Sequence, residues 1–137
     1  MVSFLSLVSC ALVGYGAFVL MAELLIWRFQ PEMDGGVTLH VTGADGNIVE
    51  RNLAGFEYDD RLYVASNHWL RHWYQLAIKN PEVDITRDGI RGPYKAVVVT
   101  GDERVGLARA YKMGLILRLV CGFAPSKFLR LEPRTES

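Results

Sequence analysis

The sequence predicts an α+β protein: a small antiparallel β-barrel with two helices, preceded by one N-terminal transmembrane helix. Three features predict it. No charged side chain precedes Glu23, whereas the 15 basic and 15 acidic residues all lie from there onward. Beyond residue 36, short runs of β-forming residues alternate with turn-forming ones. The elements follow in the order β-β-β-α-β-β-α-β, without the βαβ alternation of a parallel sheet, so an antiparallel sheet curling into a barrel is the natural way to bury one face.

The uncharged run from Val2 to Ala22 would extend about 31 Å as a helix, which matches a hydrocarbon core of about 30 Å. A cleaved signal peptide fits less well. No basic residue follows Met1, and the run passes into Glu23-Leu24-Leu25-Ile26-Trp27-Arg28 without a small-residue cleavage site. Leu7-Val8-Ser9-Cys10 has the form of a lipoprotein box, but the apolar run continues well past the cysteine. Ser6, Cys10 and Gly14 recur every four positions, the small-xxx-small spacing that lets membrane helices approach. Trp27 and Arg28 suit headgroup level, and the positive-inside rule then places the domain on the cytoplasmic side of the cell (inner) membrane. Residues 1–28 are read as a single-pass anchor, and 29–36, with Pro31 and the Gly35-Gly36 pair, as a linker.

Within the domain, 37–133, the segments Val37–Thr42, Ile48–Phe56 and Arg61–Ala65 read as a three-stranded meander turned at Gly43–Asn47 and Asp59-Asp60. Trp69–Asn80 reads as an amphipathic helix with Trp69, Trp73, Leu76 and Ala77 at helical spacing, stopped by Asn80-Pro81. Glu82–Thr86 and Tyr94–Thr100 flank an Asp88-Gly89 turn signal. Asp102–Val120 reads as one helix, capped by Asp102 and closed by Gly122. It is apolar nearly all round from Leu107 onward, so it is expected to be buried or to lie against something: the core by default, with lipid or a partner as the alternatives because the domain is already at a membrane. Phe128–Leu131 is the last strand, and 134–137 a polar tail.

Balanced charge removes the usual reason to expect nucleic acid as a partner. Arginine outnumbers lysine 11 to 4, which supplies planar forks suited to phosphate or carboxylate. Cys10 and Cys121 lie in apolar stretches and form neither a disulfide framework nor a metal-ligand spacing.

Ala65 to Tyr74 brings a hydroxyl, an amide, two imidazoles, a guanidinium and three large aromatics together at a strand-to-helix junction. Ser66 or Asn67 as helix cap would leave backbone N–H groups aimed at a phosphate, with Arg71 adding charge. The same residues equally suit a plain cap over a tryptophan-filled core. His68 and His72, at i and i+4, could share a helix face and hold a metal or haem. A third ligand is wanting, since His40 is remote, and no metal is expected. Ser66 lacks the G-x-S-x-G frame of a hydrolase nucleophile.

Leu62-Tyr63-Val64-Ala65-Ser66-Asn67, then Trp73-Tyr74, Lys79-Asn80-Pro81-Glu82-Val83, Val97-Val98-Val99-Thr100-Gly101-Asp102-Glu103-Arg104 and Leu131-Glu132-Pro133 together resemble the deazaflavin-dependent nitroreductase family. The resemblance implies a split β-barrel related to the FMN-binding pyridoxamine-phosphate-oxidase-like proteins. It further implies a deazaflavin coenzyme or FMN passing hydride to quinones or nitro compounds, at a membrane in some members. Carried onto this chain, it puts Ser66, Asn67 and Arg71, with His68 beside them, at the cofactor's phosphate side, and Trp73 and Tyr74 near its ring. Tyr63 and Tyr111 become substrate-side donors, and a homodimer is expected by analogy.

The chain departs from the family in two places. A Thr-Gly-Arg-Lys-Ser-Gly-like phosphate turn is replaced by Thr42-Gly43-Ala44-Asp45-Gly46, whose Asp45 would repel a phosphate. The loop after Asn67 is short, with Arg71 near the family's basic position. The expected partners are membrane lipid and a quinone or nitro acceptor. The alternatives are a non-catalytic binding module in a membrane assembly, with no cofactor, which the Asp45 turn favours, and a haem or metal protein using His68 and His72.

Overall fold

Alternation along Val37–Thr42 sends Val37, Leu39 and Val41 to one face, and all three are buried. The structure, a computed structural model, describes residues 3–29, 35–69 and 72–135. Among these are four helices and seven strands: α1 Phe4–Phe29, β1 Val37–Thr42, β2 Ile48–Leu53, β3 Gly55–Tyr58, β4 Arg61–Ser66, α2 His72–Lys79, β5 Glu82–Arg87, β6 Ile90–Val98, α3 Gly101–Ala110, α4 Leu115–Val120 and β7 Lys127–Pro133. Every strand pair is antiparallel, in the order β2-β1-β5-β6-β7-β4-β3, which forms a half-barrel.

The core lies inside that curved sheet. Leu39, Val41, Val64, Ile85 and Leu129 are at most 1% exposed, and each such side chain contributes roughly 1.5–3 kcal/mol by leaving water. α2 closes the open side by burying Trp73, Tyr74, Leu76 and Ala77. Its C-terminal end is tied to β1 by Asn80, whose Nδ2 donates to the Thr42 carbonyl at 2.7 Å. A second apolar cluster, on the opposite face of β4, joins Tyr63 and Ala65 to Leu107 of α3 and Phe128 of β7.

Four sequence expectations are corrected. Ile48–Phe56 is not one strand of a meander: the chain breaks at Ala54, and β2 and β3 go to opposite edges of the sheet. Gly55 permits the crossing, because a Cβ there would stand 3.0 Å from Val37 Cγ1. The expected helix Asp102–Val120 is two helices, since Tyr111 adopts an extended conformation and Gly114 begins α4 as its cap. The N-cap of α3 is Thr100 rather than Asp102. The expected burial of this region fails for α4, none of whose residues is buried. Gly122 does end α4: Gly122 N–H donates to Leu119 O and Phe123 N–H to Arg118 O, the two bonds of a Schellman closure. The Asp88-Gly89 turn also forms, with positive φ at both residues.

α1 is long and apolar enough to cross a membrane, with a mean hydropathy of 2.1. Its C-terminal half lies against the domain. Tyr15 OH donates to the Leu119 carbonyl at 2.8 Å, and Val19 packs so closely on Gly122 that a Cβ there would stand 2.7 Å from Val19 Cγ1. Further along, Glu23 meets the segment after β4, and the Trp27 carbonyl accepts from Arg51 Nη1 at 3.3 Å. Tyr15, Val19, Glu23 and Trp27 are four residues apart, so one stripe of α1 makes all these contacts. Most of the linker (30–34) and the last two residues of the tail lie outside the described residues.

Candidate functional site

Between α1 and the β2 and β4 strands is a cavity of about 210 Å³. β2 contributes Arg51 and Leu53, β4 ends there with Ala65 and Ser66, and Asn67 and His68 follow directly. Trp73 comes from α2, Tyr111 from the break between α3 and α4, and Leu117 and Cys121 from α4 and its end. Glu23, Ile26 and Trp27 of α1 form the remaining wall. The wall is thus largely apolar, with polar groups concentrated at Ser66–His68 and Glu23.

Glu23 is 4% exposed, in a helix with no earlier charge. A buried carboxylate is costly unless it is hydrogen-bonded. Here its Oε1 accepts from the Trp69 backbone N–H at 3.2 Å and lies 3.2 Å from His68 Nδ1. Cys121 Sγ is 3.6 Å from the same imidazole nitrogen. Burial, and secondarily the Glu23 charge, push the Cys121 thiol above its ordinary pKa, which disfavours the thiolate. Burial also pulls the Arg51 guanidinium below its ordinary value, but it stays charged, 5.5 Å from the Trp27 ring.

Asn67 Nδ2 donates to Tyr111 OH at 2.7 Å. Asn67 Oδ1 and Ser66 Oγ are fully buried and have no hydrogen-bond partner among the described residues. Ser66 is 2% and Asn67 8% exposed, so bulk water does not satisfy them. Orphaned buried polar atoms of this kind cost roughly 1–3 kcal/mol each unless a ligand or an ordered water meets them.

Of the residues singled out in the sequence, Ser66, Asn67, His68, Trp73 and Tyr111 converge on this cavity. Tyr74 does not line it: the ring is buried in the barrel core, with Lys127 Nζ 5.7 Å away. Tyr63 OH is turned to Glu103, at 2.7 Å. Arg71 lies outside the described residues. α2 starts at His72, so Ser66 and Asn67 do not cap it and the expected phosphate seat at its N-terminus is not built from them. For the same reason His68 and His72 do not share a helix face. His72 is exposed, His40 bridges Glu50 and Thr86 within the sheet, and no three potential ligands converge on a metal site among the described residues. The Thr42–Gly46 turn is at the far end of the β1–β2 hairpin from Leu53, outside the cavity wall.

Sequence reasoning missed Glu23, Arg51 and Cys121. A signal for Glu23 existed: it is the sole acid within α1 and falls in the four-residue stripe with Tyr15, Val19 and Trp27.

No protein-family model matches the chain, and no curated protein matches it in sequence. Its fold matches HutZ, the haem storage protein of Vibrio cholerae, with a TM-score of 0.53 at 18% identity, over 84% of this chain and 92% of that one. It also matches a protein described as a candidate pyridoxamine 5′-phosphate oxidase of Listeria innocua (0.51, 14% identity, 74% and 85% covered) and an FAD-binding protein of Mesorhizobium loti (0.51, 15% identity, 73% and 82% covered). The chain therefore shares the fold of these three proteins, an antiparallel half-barrel.

Proposed function

We propose that the protein is a membrane-anchored flavin- or deazaflavin-dependent oxidoreductase of the nitroreductase or quinone-reductase type, with the cavity beneath α1 as the site of the cofactor ring. In this reading residues 1–28 anchor the chain, 29–36 link, and 37–133 bind the cofactor on the cytoplasmic side. The observation that carries it is the pair of orphaned atoms, Ser66 Oγ and Asn67 Oδ1, in a cavity whose wall is largely apolar. A flavin-type ring has the matching chemistry: an apolar body with carbonyls and an imide N–H at one edge. Ser66 can donate to a ring carbonyl and Asn67 Oδ1 can accept from a ring N–H, while Leu53, Ala65 and Trp73 offer apolar contact.

The cavity is below the roughly 300 Å³ of ordinary small-molecule sites. It suits the ring, and leaves a phosphate-bearing tail toward the rim, where Arg51 supplies a cation. The bound group supplies hydride chemistry, whereas the chain binds it, orients it and excludes water. Quinones and nitro compounds suit a site beside lipid.

Glu23 favours a second reading, a non-catalytic binding module, because a carboxylate in the wall opposes an anionic cofactor. Titration of the purified full-length chain with FMN, a deazaflavin coenzyme and haemin, read by absorbance and tryptophan quenching, separates the two. Micromolar binding of FMN or deazaflavin is expected, with Ser66→Ala and Asn67→Leu each weakening it about tenfold. If neither flavin binds at micromolar concentration the oxidoreductase reading is wrong, and a haem band in their place transfers the cavity to haem.

A further inference from the structure

α4 is exposed from Leu115 to Leu119, and its surface is largely apolar: Leu115 is 66% exposed, Ile116 80%, Leu117 46% and Leu119 42%, and Phe123 just beyond it 48%. A soluble domain rarely leaves so dense an apolar patch open to water. The place of this patch in the fold says what covers it. α4 is held against the middle of α1 by the Tyr15–Leu119 hydrogen bond and the Val19–Gly122 contact.

The length of α1 supplies the second argument. The uncharged part of α1, Phe4–Ala22, is about 28 Å long, which matches a hydrocarbon core of about 30 Å and ends at Glu23. Glu23 is also the first charge in the sequence. A span that ends there immerses Tyr15 and Val19, and α4 goes in with them, about 6–12 Å inside the boundary at 1.5 Å per residue.

Helices lying in a membrane interface sit at a similar depth, about 5–10 Å. Charge agrees with that depth. Arg118, the one charge on α4, lies over the Phe123 ring at 5.7 Å, with a stem long enough to reach headgroups. Exposed Arg109 and Lys112 stand just before α4, and exposed Trp69 and Trp27 flank Glu23, as suits an anionic and aromatic-rich interface.

We infer that α4 is a second membrane element: it enters the acyl-chain region of one leaflet alongside α1, and so sets the Leu117–Cys121 wall of the cavity against lipid. This rests on α1 being the membrane span. A cavity so placed draws its ligands from the bilayer.

The test uses the full-length chain in phosphatidylcholine–phosphatidylglycerol vesicles with nitroxide on the lipid acyl chains, which quench a fluorophore only within the hydrocarbon. The fluorophore is attached at the native Cys10, at Ile116→Cys, or at Ile90→Cys in the β5–β6 turn, the last two in a Cys10→Ser background. Cys121 is 1% exposed and stays unlabelled. The expected result is loss of fluorescence at 116 comparable to that at Cys10, with none at 90. Quenching at Cys10 but not at 116 overturns the immersion of α4 and leaves the anchor standing. No quenching at either removes the span itself and the inference with it. Protection of 116 from both the nitroxide and aqueous iodide assigns the patch to a second copy of the chain, which also overturns it.

Discussion

Two polar regions adjoin β4, and they are finished differently. Around Tyr63 the polar side chains of Tyr63, Glu103, Arg130 and Glu132 are paired with one another. Tyr63 OH donates to Glu103 Oε1 at 2.7 Å, Arg130 Nη1 lies 2.7 Å from both Glu103 oxygens, and Arg130 Nε donates to Glu132 at 2.8 Å. At the end of the same strand Ser66 Oγ and Asn67 Oδ1 are buried with none. The first region uses polarity to fix α3 against the sheet. The second leaves polarity unspent, at a cost that a purely structural core would have removed by an apolar substitution. The difference locates the site better than residue type does, because Tyr63 and Tyr111 looked equally suitable as donors in the sequence.

If the Tyr63 region is structural, damage there should appear in stability. Glu103→Leu removes the acceptor of the buried Tyr63 hydroxyl, which keeps only Arg61 beside it, and one partner of Arg130, with an expected loss of about 2 kcal/mol in urea denaturation of the detergent-solubilised chain. A loss below about 0.5 kcal/mol would erase the contrast.

The acid limb of stability tests the same network with a smaller effect. Hydrogen bonds from Arg130, and then from Tyr63, hold the Glu103 carboxyl below its ordinary value of 4.5. A depressed folded-state pKa contributes stability above the unfolded value, and that contribution is lost as pH falls from about 4.5 through the folded value. Because both side chains are partly open to water, about 1 kcal/mol is expected. Glu103→Gln should flatten that part of the pH profile below 4.5. An unchanged acid slope in the variant would move the effect to other carboxylates.

Much of the barrel was legible because alternation and turn chemistry are local. Val37–Thr42 and the Asp88-Gly89 turn stand where the sequence put them. The break at Ala54 was not legible, since Ile48–Phe56 has continuous strand character and only the separation of the two sheet edges divides it. α4 departs from the default reading, core burial, for a related reason. An all-apolar helix signals burial, and the sequence cannot say whether protein or lipid does the burying. In the site, Ser66, Asn67, His68 and Trp73 were found because they are neighbours in the chain. Glu23 and Arg51 reach the cavity only through tertiary packing of α1 and β2.

The smallest effect bears most directly on the contrast. Ser66→Ala deletes a buried hydroxyl that bonds to nothing among the described residues, so the folded state of the free protein loses no interaction and is relieved of a desolvated group. Stability should change by no more than about 0.5 kcal/mol, or rise slightly, although the residue is 2% exposed and lies at the end of a central strand. A buried serine with a structural hydrogen bond would instead cost about 1 kcal/mol or more. Measured without ligand and then with saturating FMN or deazaflavin, the variant should match the wild type in the first case and fall below it in the second, because ligand binding stabilises only in proportion to affinity. A loss of stability already present without ligand would mean that Ser66 is held as firmly as Tyr63, and that the two regions do not differ in kind.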